Sequence, residues 1–134
     1  METTKKKYKD LNILVASINA VIGGQETKIQ KKLFKLYEKV KPFHEEYNKQ
    51  RDELRLDNAA TDDKNILLTD EKGEYKFNKD GVKKLTKDVE ALNEKEFEFT
   101  PIEVINTNGL EGFYFLENWT TGITFNEKEA EEEL

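Results

Sequence analysis

The chain has few of the side chains from which catalytic centres and structural cross-links are built. Its 134 residues include no cysteine, one histidine (His44), one serine (Ser17) and two prolines. Without cysteine there is no disulfide framework and no thiolate chemistry, and a zinc site made of Cys and His ligands is excluded. No apolar run approaches the roughly 20 residues that a membrane-spanning helix needs. We therefore expect no cofactor, no metal and no membrane partner.

The few candidates for catalysis do not form a recognisable motif. Ser17 and His44 fall on different predicted helices, and no nucleophile elbow surrounds the serine. His44 begins the run His-Glu-Glu-Tyr-Asn, in which Asn48 replaces the second histidine of the H-E-x-x-H zinc motif. Asp and Glu number 28, so pairs of carboxylates arise by chance and do not mark a glycosidase. We expect a protein that is not an enzyme.

The composition nevertheless supports a folded core. Leu, Ile, Val and Phe make up 35 of the 134 residues, about 26%, which exceeds the roughly 20% below which chains tend to stay disordered. We expect a single α+β domain at residues 1–126, followed by an acidic tail at residues 127–134. Met1–Lys7 leads into an amphipathic helix rather than into the apolar region of a signal peptide, which predicts an intracellular protein.

Charge is distributed unevenly along the chain. Residues 1–41 carry a net charge of +6 and residues 42–134 a net charge of −12, which together give the −6 of the whole chain. Such polarity can orient a chain on a charged partner or steer two copies head to tail. The same charges can also serve only to solvate helix surfaces, and the sequence leaves both interpretations open.

The first predicted helix carries one apolar stripe. Its members recur every three or four positions, at Leu11, Leu14, Val15, Ile18, Val21 and Ile22. This spacing predicts an amphipathic helix over about Lys9–Ile22. Gly23 and Gly24 end it, because glycine readily takes the left-handed conformation that closes a helix. A phosphate-binding loop would need a following Gly-Lys-Ser/Thr, which the chain lacks.

The second predicted helix, Glu26–Leu56, is unusually long. At ~1.5 Å per residue it extends about 46 Å, whereas a compact chain of this length has a diameter of roughly 36 Å. Either the helix kinks at Pro42, which lacks an N–H and clashes with a carbonyl one turn earlier, or a partner covers the overhang.

A heptad seam typical of a coiled coil follows this helix. Alternate spacings of four and three residues separate its members, Ile29, Leu33, Leu36, Val40, Phe43, Tyr47, Gln50 and Leu54. We expect the seam either to pack against the first helix or to mediate self-association. The candidate partner-binding residues on it are Ile29, Leu33, Leu36, Val40, Phe43 and Tyr47.

Five lysines flank the seam, and we call them the lysine stripe: Lys28, Lys31, Lys32, Lys35 and Lys39. They centre roughly 100° away from the seam around the helix, in the position of residues that border a coiled-coil core. The stripe can contact phosphates or an acidic partner, or it can simply solubilise the helix. No arginine and few aromatic residues are interleaved with it, which argues against nucleic acid.

The second half of the chain is predicted to mix strands with one helix. In order, we expect a polar loop at 57–65, a hairpin pairing 66–69 with 74–77, a helix from about Asn78–Asp80 to Asn93, strands at 96–99 and 102–105, and a last strand around Ile123 and Phe125. Residues 110–116 fit either a short helix or a strand. The expected fold is α+β, with one long and two shorter helices packed on a small antiparallel sheet built from the hairpin and the later strands.

The C-terminal part is rich in aromatic residues. Trp119 lies near Phe113, Tyr114, Phe115 and Phe125 in the sequence. These rings either pack against the sheet or provide an interface anchor, because Trp and Tyr are enriched among the residues that dominate binding energy. Trp119 therefore joins the candidate partner-binding residues.

Three features together resemble a group of short, uncharacterised phage and prophage proteins encoded among virion-assembly genes. They are the Lys-rich helix carrying Phe43 and Arg51-Asp52-Glu53-Leu54, the Asp70-Glu71-Lys72-Gly73-Glu74-Tyr75 hairpin, and Leu92 leading to Glu96-Phe97-Glu98-Phe99, within residues 28–105. The family has no established activity, so the resemblance assigns no site residue. It implies a virus-encoded structural or accessory protein.

On this resemblance we expect a non-catalytic phage protein that acts through protein–protein contacts in virion assembly. Its partners would be itself or other virion proteins, in the host cytoplasm and in the particle. The alternative is a small acidic phage-encoded inhibitor of a host defence or nucleic-acid enzyme, which would present residues 42–134 as a phosphate-like surface.

Overall fold

Three helices dominate the fold and lie where the apolar spacing predicts them. In the computed structural model, which describes residues 2–126, α1 spans Tyr8–Ile22, α2 spans Thr27–Asn58 and α3 spans Lys79–Glu94. The acidic tail predicted at 127–134 lies outside the described residues. Together with a small antiparallel sheet, one long and two shorter helices confirm the predicted α+β class.

The helix α1 runs antiparallel along the first part of α2. At one end, the Gln30 side-chain amide donates a hydrogen bond to the Ile22 carbonyl oxygen at 3.0 Å. At the other end, the ring centroids of Tyr8 and Tyr47 lie 5.5 Å apart. Because α1 lies along this stretch, most of the heptad seam of α2 is buried within the chain.

The helix α3 continues along α2 where α1 stops. The Tyr47 hydroxyl donates to Asn93 Oδ1 at 2.7 Å, and the Asn58 amide donates to Asp88 Oδ2 at 3.2 Å. The two shorter helices thus lie end to end along α2, which is continuous through Pro42. The chain's own α3 covers the part of α2 that was predicted to overhang a compact domain.

The antiparallel sheet contains a strand that the sequence did not predict. Strand β1, Thr4–Lys7, pairs with β2, Glu96–Phe99, with Lys6 opposite Phe97 and Lys5 opposite Glu98. Strand β2 was predicted from its alternating Glu and Phe, whereas β1 has no such alternation. It forms because β2 offers a partner of opposite charge on one face, which stabilises cross-strand pairs.

The predicted hairpin forms, but its part in the sheet was predicted wrongly. Residues 70–74 make the expected tight turn, and single bridges join Thr69 to Tyr75 and Thr61 to Leu67. None of these residues pairs with β1 or β2. The hairpin lies apart from this sheet and leaves its apolar residues largely uncovered, since Ile66 is 59% exposed and Leu68 38% exposed.

The C-terminal part also differs from the prediction. The strand expected at 102–105 is β3, Ile102–Glu103, and it pairs in parallel with β4, Thr120–Thr121, rather than with a strand at Ile123 and Phe125. Gly122 ends β4 because its φ is +98° and a Cβ there would stand 2.4 Å from the Val104 carbonyl oxygen. Within the stretch 110–116, left open above, Tyr114–Leu116 forms one turn of 3₁₀ helix.

Candidate protein-binding groove

The residues predicted to bind a partner lie in the chain's own core. Six of the seven are buried, namely Ile29, Leu33, Leu36, Val40, Tyr47 and Trp119. The seventh, Phe43, is half-buried and stacks on Phe97 with ring centroids 4.9 Å apart. Trp119 packs edge-on against Phe99 at 5.2 Å. The seam therefore packs within the chain, and a partner-binding role for these seven residues stays a prediction.

The scarce polar groups considered for catalysis serve local contacts. Ser17 donates its hydroxyl to the Ile13 carbonyl oxygen at 2.7 Å, one turn earlier on α1. Burial and then the positive charge of Arg51 lower the pKa of His44, against a smaller opposing effect of Glu45.

Within residues 2–126, no group of three His, Cys, Asp or Glu side chains is placed to hold a metal ion. No helix in that range is both long and apolar enough to cross a bilayer.

A groove runs between the lysine stripe of α2 and the segment 98–109. It consists of three adjoining clefts of about 510, 290 and 440 Å³. The first and second share Lys32 and Lys35, and the second and third share Lys39. All five lysines of the stripe line it, and we call it the lysine groove. Three carboxylates also line it, Glu26 at the first cleft, Glu103 at the second and third, and Glu98 at the third.

The far wall of the lysine groove is fastened to α2 by specific contacts. The Lys32 ammonium donates to Asn106 Oδ1 at 3.1 Å and also to the Asn108 carbonyl oxygen. Gly109 has a φ of +88° and lies so close to α2 that a Cβ there would stand 2.0 Å from Ile29 Cδ1. These contacts fix the distance between the two walls, so the groove is a built feature of the fold.

Strand β3 has two residues and pairs with β4 on one edge only, and Glu103 and Ile105 are among the residues that line the second cleft. The N–H groups of Ile102 and Val104 donate to carbonyl oxygens of Trp119 and Thr121, on the β4 side. Because alternate backbone groups of a strand point to opposite edges, the N–H of Glu103 points away from β4. Within residues 2–126 neither Glu103 nor the next odd residue, Ile105, donates its N–H to any acceptor. Ile105 is also 90% exposed.

The lysine stripe is arranged against the local stability of α2. Lys28 stands in the first turn, where the helix dipole favours anions, and that turn has no acidic residue. The pairs 28/32, 31/35 and 35/39 each place two like charges four residues apart. Each such pair destabilises a helix by about 0.2–0.5 kcal/mol. This repulsion opposes the good helix propensity of lysine, and an anion bound at the stripe would relieve it.

A second cluster of charges joins the start of the chain to α3. Glu94 accepts hydrogen bonds from the ammonium groups of Lys7 at 2.8 Å and Lys9 at 2.9 Å. The hydrogen bonds from Lys7 and then Lys9 lower the pKa of Glu94 to about 2. The hydrogen bond with Glu94 likewise raises the pKa of Lys7. All three groups are well exposed, so this cluster fastens β1 without forming a closed site.

A larger cleft of about 780 Å³ lies between the second half of α2 and the hairpin. Its carboxylates come from Glu45, Asp52, Glu53 and Glu74, and its cations from Lys49 and Arg55. Its carboxylates outnumber its cations, so the cleft carries a net negative charge, and we call it the acidic cleft. It holds a small part of the negative charge that the sequence assigns to residues 42–134.

The sequence predicts one wall of the lysine groove but not the other. The stripe shows in the sequence as lysines at helical spacing, but nothing local predicts that 102–109 lies against it. Pro101 marks an edge strand, which is the one signal available in advance.

In comparisons with known proteins, no family model, no curated protein and no solved structure matches the chain.

Proposed function

We propose that this chain is a non-catalytic protein that works by binding another protein. The observation that carries the proposal is the lysine groove, where five cations line a concavity beside an unpaired strand edge. Repulsion between the like charges partly offsets the good helix propensity of lysine, so binding of an opposite charge would benefit the helix that carries them. A partner of opposite charge supplies that benefit, since complementary potentials speed and orient association.

We further propose that this binding serves the assembly or architecture of a phage particle. The support is the resemblance of residues 28–105 to phage and prophage proteins encoded among virion-assembly genes. Particle assembly depends on protein–protein contacts, and a small non-catalytic adaptor fits that requirement. The proposed location is the host cytoplasm during assembly and the particle afterwards.

The test is quantitative mass spectrometry of purified particles from the phage or prophage that encodes the chain. We expect the chain in amounts comparable to a structural protein of the particle. The control is a particle preparation from a strain in which the gene is deleted. Absence of the chain both from particles and from assembly intermediates would contradict the role in assembly.

The acidic cleft supports a second candidate function. Glu45, Asp52, Glu53 and Glu74 present carboxylates on one concave surface, and such a surface can imitate the phosphates that a nucleic-acid enzyme binds. On this proposal the chain inhibits a basic host enzyme. Binding to that enzyme should weaken steeply with salt, and D52K/E53K should abolish it. Unchanged binding by this variant would refute the inhibitor function.

A further inference from the structure

We propose that the lysine groove binds an extended acidic segment of a partner protein, which adds to β3 as a new strand. This inference rests on the proposed function and specifies its partner chemistry. Two independent features of the groove converge on such a segment. One is the unpaired edge of β3 at Glu103, and the other is the row of cations that faces it across the groove.

The unpaired edge sets the conformation of the segment. A strand edge with free N–H and C=O groups is a template for another extended chain, which gains main-chain hydrogen bonds on binding. Beside this edge, Ile105 is 90% exposed and offers an apolar contact to the incoming strand. Pro101 precedes β3 and limits extension of the pairing on that side, because proline lacks an N–H.

The lysine stripe sets the charge and the spacing of the segment. Lys35 and Lys39, which both line the cleft beside Glu103, are separated by four helical residues, or about 6 Å along the axis. Alternate side chains on one face of a strand are ~6.7 Å apart. Carboxylates at alternate positions of the segment therefore match the stripe. From Lys28 to Lys39 the groove takes about five extended residues.

The same features favour a peptide over a nucleic acid. A strand edge offers main-chain hydrogen bonds that a peptide can complete and a nucleic acid cannot. No arginine or aromatic side chain lines the first and second clefts, whereas bases usually stack on such groups.

The experiment measures binding of a fluorescent eight-residue peptide of alternating Glu and Val by fluorescence anisotropy. We expect saturable binding to the full chain, which weakens at least five-fold between 50 and 300 mM NaCl. The peptide in which Gln replaces Glu should bind at least ten-fold more weakly. Because residues 127–134 also contain five Glu, the titration is repeated with these residues changed to Gln. Absence of peptide binding by both chains would overturn the proposal.

The matched variants are K31E/K35E in the groove and K83E/K87E on the exposed face of α3. Both change two exposed lysines four residues apart on a helix. We expect K31E/K35E to weaken peptide binding at least ten-fold and K83E/K87E less than two-fold. Thermal unfolding checks that both variants remain folded. Equal affinities of the two variants would show that the groove does not hold the peptide.

Two peptides methylated on alternate backbone nitrogens test the added strand itself. In one peptide the odd residues are N-methylated, and in the other the even residues. A strand pairs through one edge only, so one peptide should lose at least ten-fold in affinity while the other binds within about three-fold of the parent. If both bind like the parent, the contact is purely electrostatic and strand addition is wrong.

Two further outcomes would assign a different occupant and overturn the proposal. The first is DNA that binds more tightly than the peptide at the same salt and is released by K31E/K35E. The second is self-association of the chain that K31E/K35E alone abolishes, as measured by light scattering, which would make a second copy the occupant. If the peptide does not bind but mass spectrometry finds the chain in particles, only the inference about the groove is wrong. The proposed function is then retained, because the partner binds another surface.

Discussion

Substitution of Gly109, which contacts α2, tests quantitatively how closely the far wall of the lysine groove approaches that helix. Gly109 combines a φ of +88° with a Cβ position 2.0 Å from Ile29 Cδ1. In G109A, an L-residue in the left-handed region costs about 1–2 kcal/mol, and forcing an extra methyl into a packed contact costs about 1–3 kcal/mol. We expect the free energy of unfolding to fall by about 2–5 kcal/mol.

Two other glycines separate these costs. Gly73 has a φ of +81° but no atom within 4 Å of its Cβ position, so G73A should lose only the conformational part, about 1–2 kcal/mol. Gly112 has neither constraint, so G112A should be neutral or stabilising by up to about 1 kcal/mol. The assay is urea unfolding of all three variants, with free energies of unfolding compared through the transition midpoints.

The double variant G109A/I29V isolates the overlap. Ile29→Val removes Cδ1 and leaves Cγ1, which is 3.2 Å from the new Cβ. Ile29→Val alone should cost about 0.5–1.5 kcal/mol, but in the G109A background it should cost less or stabilise. We expect a coupling of at least ~1 kcal/mol in the double-mutant cycle. If G109A costs no more than G73A and the cycle is additive, the close approach of this wall to α2 is wrong.

Four further predictions concern the helices and the charge cluster. L36D places an unpaired charge in the buried seam and should unfold the domain, which circular dichroism would detect, whereas a native melting temperature would contradict the seam. N78A removes the side chain that accepts from the Gly81 N–H at 2.7 Å, and should cost about 1 kcal/mol in urea unfolding. K28E places an anion in the first turn of α2 and should stabilise by about 0.3–1 kcal/mol; a loss of stability would contradict the dipole argument. The pKa of Glu94, lowered to about 2 from 4.5, means that its contribution to stability is present above pH 4.5 and is lost as the pH falls towards 2. E94Q should therefore be less stable than the parent at neutral pH and equal to it near pH 2, and a constant difference across that range would refute the assignment.

The positive and negative parts of the sequence lie at different places along α2. The N-terminal half of α2 carries the lysine stripe beside one groove, and its C-terminal half carries Glu45, Asp52 and Glu53 beside another. One helix therefore presents opposite charges at its two ends. Because surface charge steers association, the lysine groove would attract acidic partners and the acidic cleft would attract basic ones.

The helices followed from sequence because their signals are local. The apolar residues of α1 and α2 recur every three or four positions, and Asn78 caps α3 as its side chain suggests. The Glu-Phe alternation of β2 is local in the same sense. In each case, residues within a few turns of one another determine both the element and its buried face.

The sheet partners and the groove did not follow from sequence because they depend on distant contacts. The three lysines of β1 have no strand pattern, and they form a strand only against β2, some 90 residues later. The tryptophan ring beneath Lys6, 5.0 Å from its ammonium group, comes from a third part of the chain. Pairing between remote segments is set by the whole core, so no local window of residues contains it.

The sequence by itself therefore determined the three helices, the buried seam and the cations that border it. Only the tertiary structure decided that α1 and α3 lie end to end along α2, and that residues 102–109 lie across from the lysine stripe. The physical reason is that periodicity within a helix specifies which face is apolar but not what covers it. That choice depends on close approaches such as Gly109 on Ile29, which arise only when the whole chain is packed.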